Sequence, residues 1–132
     1  MKISAGKKEI IGKVRNFVEN QEEIIFAYIF GSFPDNNIFN DLDLAIYIDE
    51  NSTSPKKIFY EIELSNQLED IIGIPVDVVV LNKASDSILY RASNGIVIKN
   101  SNDNIRVSFI TTHWKKYWDF KNKIQEHIEA WK

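Results

Sequence analysis

The chain has 132 residues, a formal net charge of −3 at pH 7, and a composition that is 44% hydrophobic and 27% charged. That length fits one domain spanning residues 1–132, and that composition fits a packed globular protein rather than a disordered tail. With no cysteine and only two histidines, His113 and His127, it excludes disulfide scaffolds, zinc ribbons, cysteine nucleophiles and histidine-rich metal sites.

Ile10, Ile11, Val14, Phe17 and Val18 recur at helical spacing and predict a helix over residues 5–20. The apolar run from Ile24 to Phe30 is short and rich in branched and aromatic residues, which reads as a buried strand. Seven residues are also far from the about 20 needed to cross a membrane. A polar loop from Gly31 to Asn40 follows, and Leu42 to Ile48 reads as a second strand. Ser54-Pro55 has the form of an N-cap with proline at the first helical position, opening a helix through Ile58, Ile62, Leu68 and Ile72. Gly73 fits its C-terminal stop. Pro75 to Leu81 is a third strand, and Ser85 caps a short helix that ends at Asn94-Gly95. Gly95 to Lys99 is a fourth strand, with Ser101 to Asn104 as a turn. Ile110, Trp114, Tyr117, Lys121, Ile124 and Ile128 then share one stripe of a long last helix. The expected architecture is an α/β or α+β domain with a small mixed sheet flanked by helices.

Charge is spread unevenly. From Asn16 to Pro55 there is no Lys or Arg, while eight carboxylates fall in the same stretch. A nearby cation or a solvated acidic surface would each account for this. Basic residues gather at the two ends, where they face solvent or an acidic partner. The acidic balance argues against direct nucleic-acid binding. The start of the chain has no long apolar segment of the secretory type, so a cytoplasmic location is expected.

Three acids stand out. Asp41 and Asp43 are two apart at the start of a strand, so both side chains point to one face. Asp77 lies within Pro-Val-Asp-Val-Val-Val, among residues that favour burial. An ionised carboxylate there is costly unless it is paired, hydrogen-bonded or bound to metal. A solvent-facing place on an edge strand is the other reading. If the second and third strands are neighbours, the three carboxylates converge, and a divalent cation relieves their repulsion. Oxygen-only ligands select a hard ion, Mg²⁺ or Mn²⁺. Before them, Gly31-Ser32 follows the first strand directly, where backbone N–H groups and a hydroxyl can approach a phosphate.

Gly31-Ser32, a loop, Asp41-x-Asp43 and the later Asp77 together resemble the polymerase-β-like nucleotidyltransferases. The small size and order of elements are most similar to the minimal nucleotidyltransferase (MNT) family, the antitoxin half of HEPN/MNT toxin–antitoxin pairs. The segment from Val76 to Ala84, Tyr90-Arg91, and Asn94-Gly95 before a strand also resemble that family. The resemblance implies a polymerase-β-like fold and two Mg²⁺ ions held by Asp41, Asp43 and Asp77. It implies that Gly31 and Ser32 position the phosphates of ATP. It further implies transfer of AMP to a tyrosine of a HEPN ribonuclease toxin, which silences it, and a hetero-oligomer with that partner. Lys83 and Arg91 read first as surface cations, with a phosphate-holding role as the alternative. Trp114, Tyr117 and Trp118 read as core or partner interface.

The chain departs from the family's pattern in the loop, Phe33-Pro34-Asp35-Asn36-Asn37-Ile38-Phe39-Asn40. The family's Arg after Gly-Ser is absent, the loop is about two residues shorter, and Asn40 stands where Ser is usual. Two alternatives remain: an MNT-like antitoxin that inhibits by binding alone, and a nucleotidyltransferase acting on a small molecule or RNA.

Overall fold

In chain order the elements are α1 (Ala5–Glu19), β1 (Ile24–Phe30), β2 (Leu42–Ile48), α2 (Tyr60–Ile72), β3 (Val76–Val80), a 3₁₀ turn (Leu81–Lys83), α3 (Asp86–Ser93), β4 (Ile96–Asn100) and α4 (Asp103–Ala130). This is a computed structural model, and it describes residues 5–34, 40–52 and 59–130. The expected Ser54-Pro55 helix start lies outside the described residues.

The four strands form one mixed sheet in the order β3-β2-β1-β4. β1 is antiparallel to both its neighbours, and β2 runs parallel to β3. A parallel pair needs a crossover, and α2 supplies it. Strand alternation then sorts the apolar residues onto two faces. Ile29, Leu44, Ile46, Val76 and Ile98 pack with Val14 and Val18 of α1 and Leu64 and Leu68 of α2. Phe26, Tyr28, Phe30 and Ala45 pack on the other face with Leu89 and Ala92 of α3 and Ile110 of α4. Each fully buried aliphatic or aromatic side chain contributes about 1.5–3 kcal/mol of transfer free energy.

Local chemistry sets the ends of elements. Gly73 takes φ +78° and its N–H caps the Glu69 carbonyl, closing α2 as its sequence position implies. Ser85 Oγ accepts from Ile88 N–H at 3.2 Å and caps α3. Asn82 Oδ1 accepts from Ile48 N–H at 3.0 Å and its Nδ2 donates to Ile48 C=O at 2.9 Å, tying the turn after β3 to the far end of β2. The expected turn after β4 is shorter than the sequence implies, because Asn102 Oδ1 accepts from Ile105 N–H and starts α4 there.

Two expectations are corrected. Lys7 is buried rather than directed to solvent or a partner, with Nζ 5.4 Å from the centre of the Phe33 ring. A long aliphatic stem and a ring face make that burial tolerable. The stripe on α4 packs only over its first half: Ile110 is buried, whereas Ile124 and Ile128 are exposed.

Candidate active site

The site is built at one end of β2. Asp43 is the second residue of that strand, and its Cα is paired with Asp77 on β3 and with Phe30 on β1. Directly paired residues of a parallel ladder project to the same face, so Asp43 and Asp77 stand side by side. Asp41 precedes Asp43 by two residues and shares that face. It is the face covered by α3 and α4, opposite to the core-facing Leu42 and Leu44.

β1 ends at Phe30 and the chain turns at Gly31 with φ +77°. A Cβ on Gly31 would overlap Asp43 Oδ2. Only glycine lets the backbone turn this way while passing over the carboxylate. Ser32 follows and is exposed. On the opposite side, Gly95 brings the chain from α3 into β4 so closely that an added Cβ would overlap the Ile29 carbonyl. That approach lays the end of α3 across the end of β1. An open cleft of about 530 Å³ results, lined by Gly31, Ser32, Asp41, Asp43, Tyr90, Arg91 and Asn94.

Asp43 is half-buried, and its carboxyl is raised above its ordinary value. Burial is the main cause. The like charges of Asp41 and Asp77 add to it, and the Arg91 guanidinium opposes it. The convergence of the three acids is therefore electrostatic as well as topological.

Asp77 requires a correction. It is exposed and does not line the cleft, because β3 is the edge of the sheet and only its two end residues, Val76 and Val80, are buried. Its apolar sequence neighbours do not enclose it. Among the described residues no group of three acid, histidine or cysteine side chains stands close enough to hold a metal ion as arranged. What fits a hard divalent cation is the chemistry of the donor set. Asp41, Asp43 and Asp77 offer oxygen alone, on one face, with a like-charge strain on the central carboxyl.

Tyr90 and Asn94 join the site with no sequence signal beyond the resemblance of Tyr90-Arg91 and Asn94-Gly95, and Arg91, for which a phosphate-holding role is the alternative to a surface one, lines the cleft with them. Tyr90 is stacked on Tyr117 of α4 at 4.7 Å between ring centres and meets Trp118 edge-on at 5.8 Å. Lys121 lies 5.3 Å and 5.2 Å from the centres of those two α4 rings. Trp114 Nε1 donates to Ser93 Oγ at 2.7 Å, and His113 Nδ1 contacts Asp86 Oδ1. These contacts bind α4 to α3. Lys83 sits beyond β3 at the opposite end of the sheet from Asp43, outside the cleft. Another open hollow, about 590 Å³ between Tyr47 and α4, has no acid in its lining.

The fold and the pattern agree with known proteins. The family model "Polymerase beta, Nucleotidyltransferase" matches residues 12–104, from α1 to the start of α4. The chain is 32% identical over 82 residues to a Methanocaldococcus jannaschii protein named "Putative protein adenylyltransferase MJ1217", covering 62% of this chain and 82% of that one. The fold is similar to a chain in the structure of a tri-AMPylated Shewanella oneidensis HEPN toxin in complex with MNT antitoxin, with a TM-score of 0.72 at 17% identity over 94% of this chain and 97% of that one. It is similar to a chain of a toxin–antitoxin crystal structure with AMP-PNP, with a TM-score of 0.73 at 17% identity over 91% and 96% of the two chains. It is also similar to a chain of the MntA-HepT toxin–antitoxin, with a TM-score of 0.65 at 18% identity over 95% of each. With the paired acids, the glycine turn beside them and a family match over most of its length, the chain belongs to the polymerase β nucleotidyltransferase family.

Proposed function

We propose that this chain is an antitoxin nucleotidyltransferase that transfers AMP from ATP to a tyrosine hydroxyl of a HEPN ribonuclease toxin and so neutralises it. The observation that carries the reading is the register Asp43–Asp77 with Asp41 and Gly31-Ser32 gathered around one end of the sheet. The family match, the relative's name and the folds of MNT antitoxins in complex with HEPN toxins support the same activity and the same kind of partner. One domain over residues 1–132 carries it. No helix among the described residues is long and apolar enough to cross a membrane, and the proposed reaction belongs in the cytoplasm, where ATP and a ribonuclease toxin meet.

Asp41, Asp43 and Asp77 would hold Mg²⁺, with Mn²⁺ as a substitute. Bound there, the ions supply charge neutralisation for the triphosphate and a lowered pKa for the attacking hydroxyl. The protein's own work is positioning. Gly31 and Ser32 present backbone N–H groups and a hydroxyl to the phosphates. Asp77, exposed at the sheet edge, faces the side from which a protein acceptor can approach.

The test is transfer of label from α-phosphate-labelled ATP, with Mg²⁺, to the HEPN partner. Label on a partner tyrosine that disappears in the Asp41→Asn, Asp43→Asn double variant is the expected result. A tight complex with no label from any of the four nucleoside triphosphates would overturn the catalytic reading and leave inhibition by binding alone.

A further inference from the structure

The geometry points to Arg91 as the residue that grips the triphosphate of the incoming nucleotide. This deepens the proposed nucleotidyltransferase reading and rests on it. The acids of the cleft, before any metal ion is counted, repel a polyanion. Asp41 and Asp43 line it, and the charge of Asp77 reaches Asp43. Gly31 and Ser32 offer dipoles but no charge. Nothing on β1, on the loop after it or on β2 can help, because the sequence from Asn16 to Pro55 contains no Lys or Arg. Any protein cation that assists the metal ions in holding the triphosphate therefore comes from another segment of the chain.

Arg91 comes from such a segment. It is the one cation among the residues lining the cleft, on the last turn of α3, and shares that lining with Gly31 and Ser32. Its charge already acts on Asp43, so it stands within electrostatic reach of the acids. It is exposed, and no ion pair among the described residues engages it. A cation at a helix C-terminus sits favourably in the field of the helix carbonyls. Guanidinium stays charged at any relevant pH and meets two phosphate oxygens at once. The placement is held from behind: Leu89 and Ala92, on either side of Tyr90-Arg91, are buried, and Tyr90 is stacked on α4. Lys83, the other candidate cation, is at the far end of the sheet and serves as the control.

The experiment measures Kd for ATP with Mg²⁺ by calorimetry, and KM and kcat for label transfer. It compares wild type, Arg91→Gln, Arg91→Lys and Lys83→Gln. Arg91→Gln is expected to weaken ATP binding about 10–100-fold, the range for losing charge-assisted hydrogen bonds. KM should rise with it while kcat changes less. Arg91→Lys should recover part of the loss, and the dependence of ATP binding on ionic strength should flatten in Arg91→Gln. Binding of AMP should change little, and Lys83→Gln should match wild type. Equal ATP affinity and salt dependence in wild type and Arg91→Gln would overturn the assignment while leaving the nucleotidyltransferase reading intact. A wild-type chain that neither binds nor transfers any nucleotide would overturn both.

Discussion

At the scale of single residues, the site is governed by Gly31 and Asp43. Gly31 has φ +77°, and its backbone passes over the Asp43 carboxylate. Gly31→Ala should cost about 1–2 kcal/mol for the left-handed backbone alone. It should also displace the Asp43 carboxylate, so label transfer should fall further than stability; denaturant melts beside transfer assays separate the two. Asp43 has the opposite kind of stability effect. Its carboxyl is raised above its unfolded value near 3.8, mainly by burial. Ionising it therefore costs the fold, fully above its folded pKa and not at all once the pH falls below the unfolded value. Asp43→Asn should melt higher than wild type at pH 7, and the difference should shrink as the pH falls toward about 3.8; melts across pH decide it. Mg²⁺ should raise the Tm of wild type and leave that of Asp41→Asn, Asp43→Asn unmoved, because an ion that binds only the folded state stabilises by mass action, about 2.7 kcal/mol at one hundred times its Kd.

At the scale of elements, sequence periodicity carried far. The expected strand at Ile24–Phe30 and the one at Leu42–Ile48 match β1 and β2 to the residue, and the Ser85 cap and Gly73 stop are as expected. The reason is local: branched runs, a hydroxyl at a helix start and a glycine free to take positive φ act within a few residues. The carboxylate pairing was conditional on strand order, and only the sheet fixes that Asp43 faces Asp77. The sequence leaves Asp77 open between an enclosed and a solvent-facing place, because an apolar run does not say whether its strand is central or at the edge; the sheet puts it at the exposed edge. Burial of Lys7 and the Lys99 Nζ contact with Gln21 C=O at 3.0 Å join residues distant in sequence, and no periodicity reports them. The helix α3 shows how such placement bears on the site. Leu89 is buried under it and Ser85 caps it. Leu89→Ala should cost about 2–5 kcal/mol, and Ser85→Ala about 1 kcal/mol. In chemical denaturation both should keep the sheet's slope of unfolding, and the weakened α3 should raise KM for ATP through Arg91.

At the scale of the molecule, α4 extends beyond what the fold can cover. Its 28 residues make a helix of about 42 Å. Only its first half is anchored, by Ile110, Trp114 and the stack of Tyr117 on Tyr90. From Trp118 to Ala130 every residue is exposed, including the large apolar side chains of Trp118, Phe120, Ile124 and Ile128. A helical segment without tertiary packing is marginal in water at this length. A solvated apolar stripe beside the active-site helix is also the natural place for the proposed protein partner to cover, since Tyr90 joins that stripe to the cleft through Tyr117 and Trp118. Amide exchange should therefore divide α4 in two. In the isolated chain, residues 103–117 should be protected to nearly the global stability, and residues 120–130 should exchange orders of magnitude faster. Binding of the HEPN partner should protect the second half, and Ile124→Ser with Ile128→Ser should weaken the complex while leaving ATP binding at the wild-type level. Protection of residues 120–130 in the dilute isolated chain, or a complex indifferent to those substitutions, would place the partner on another face.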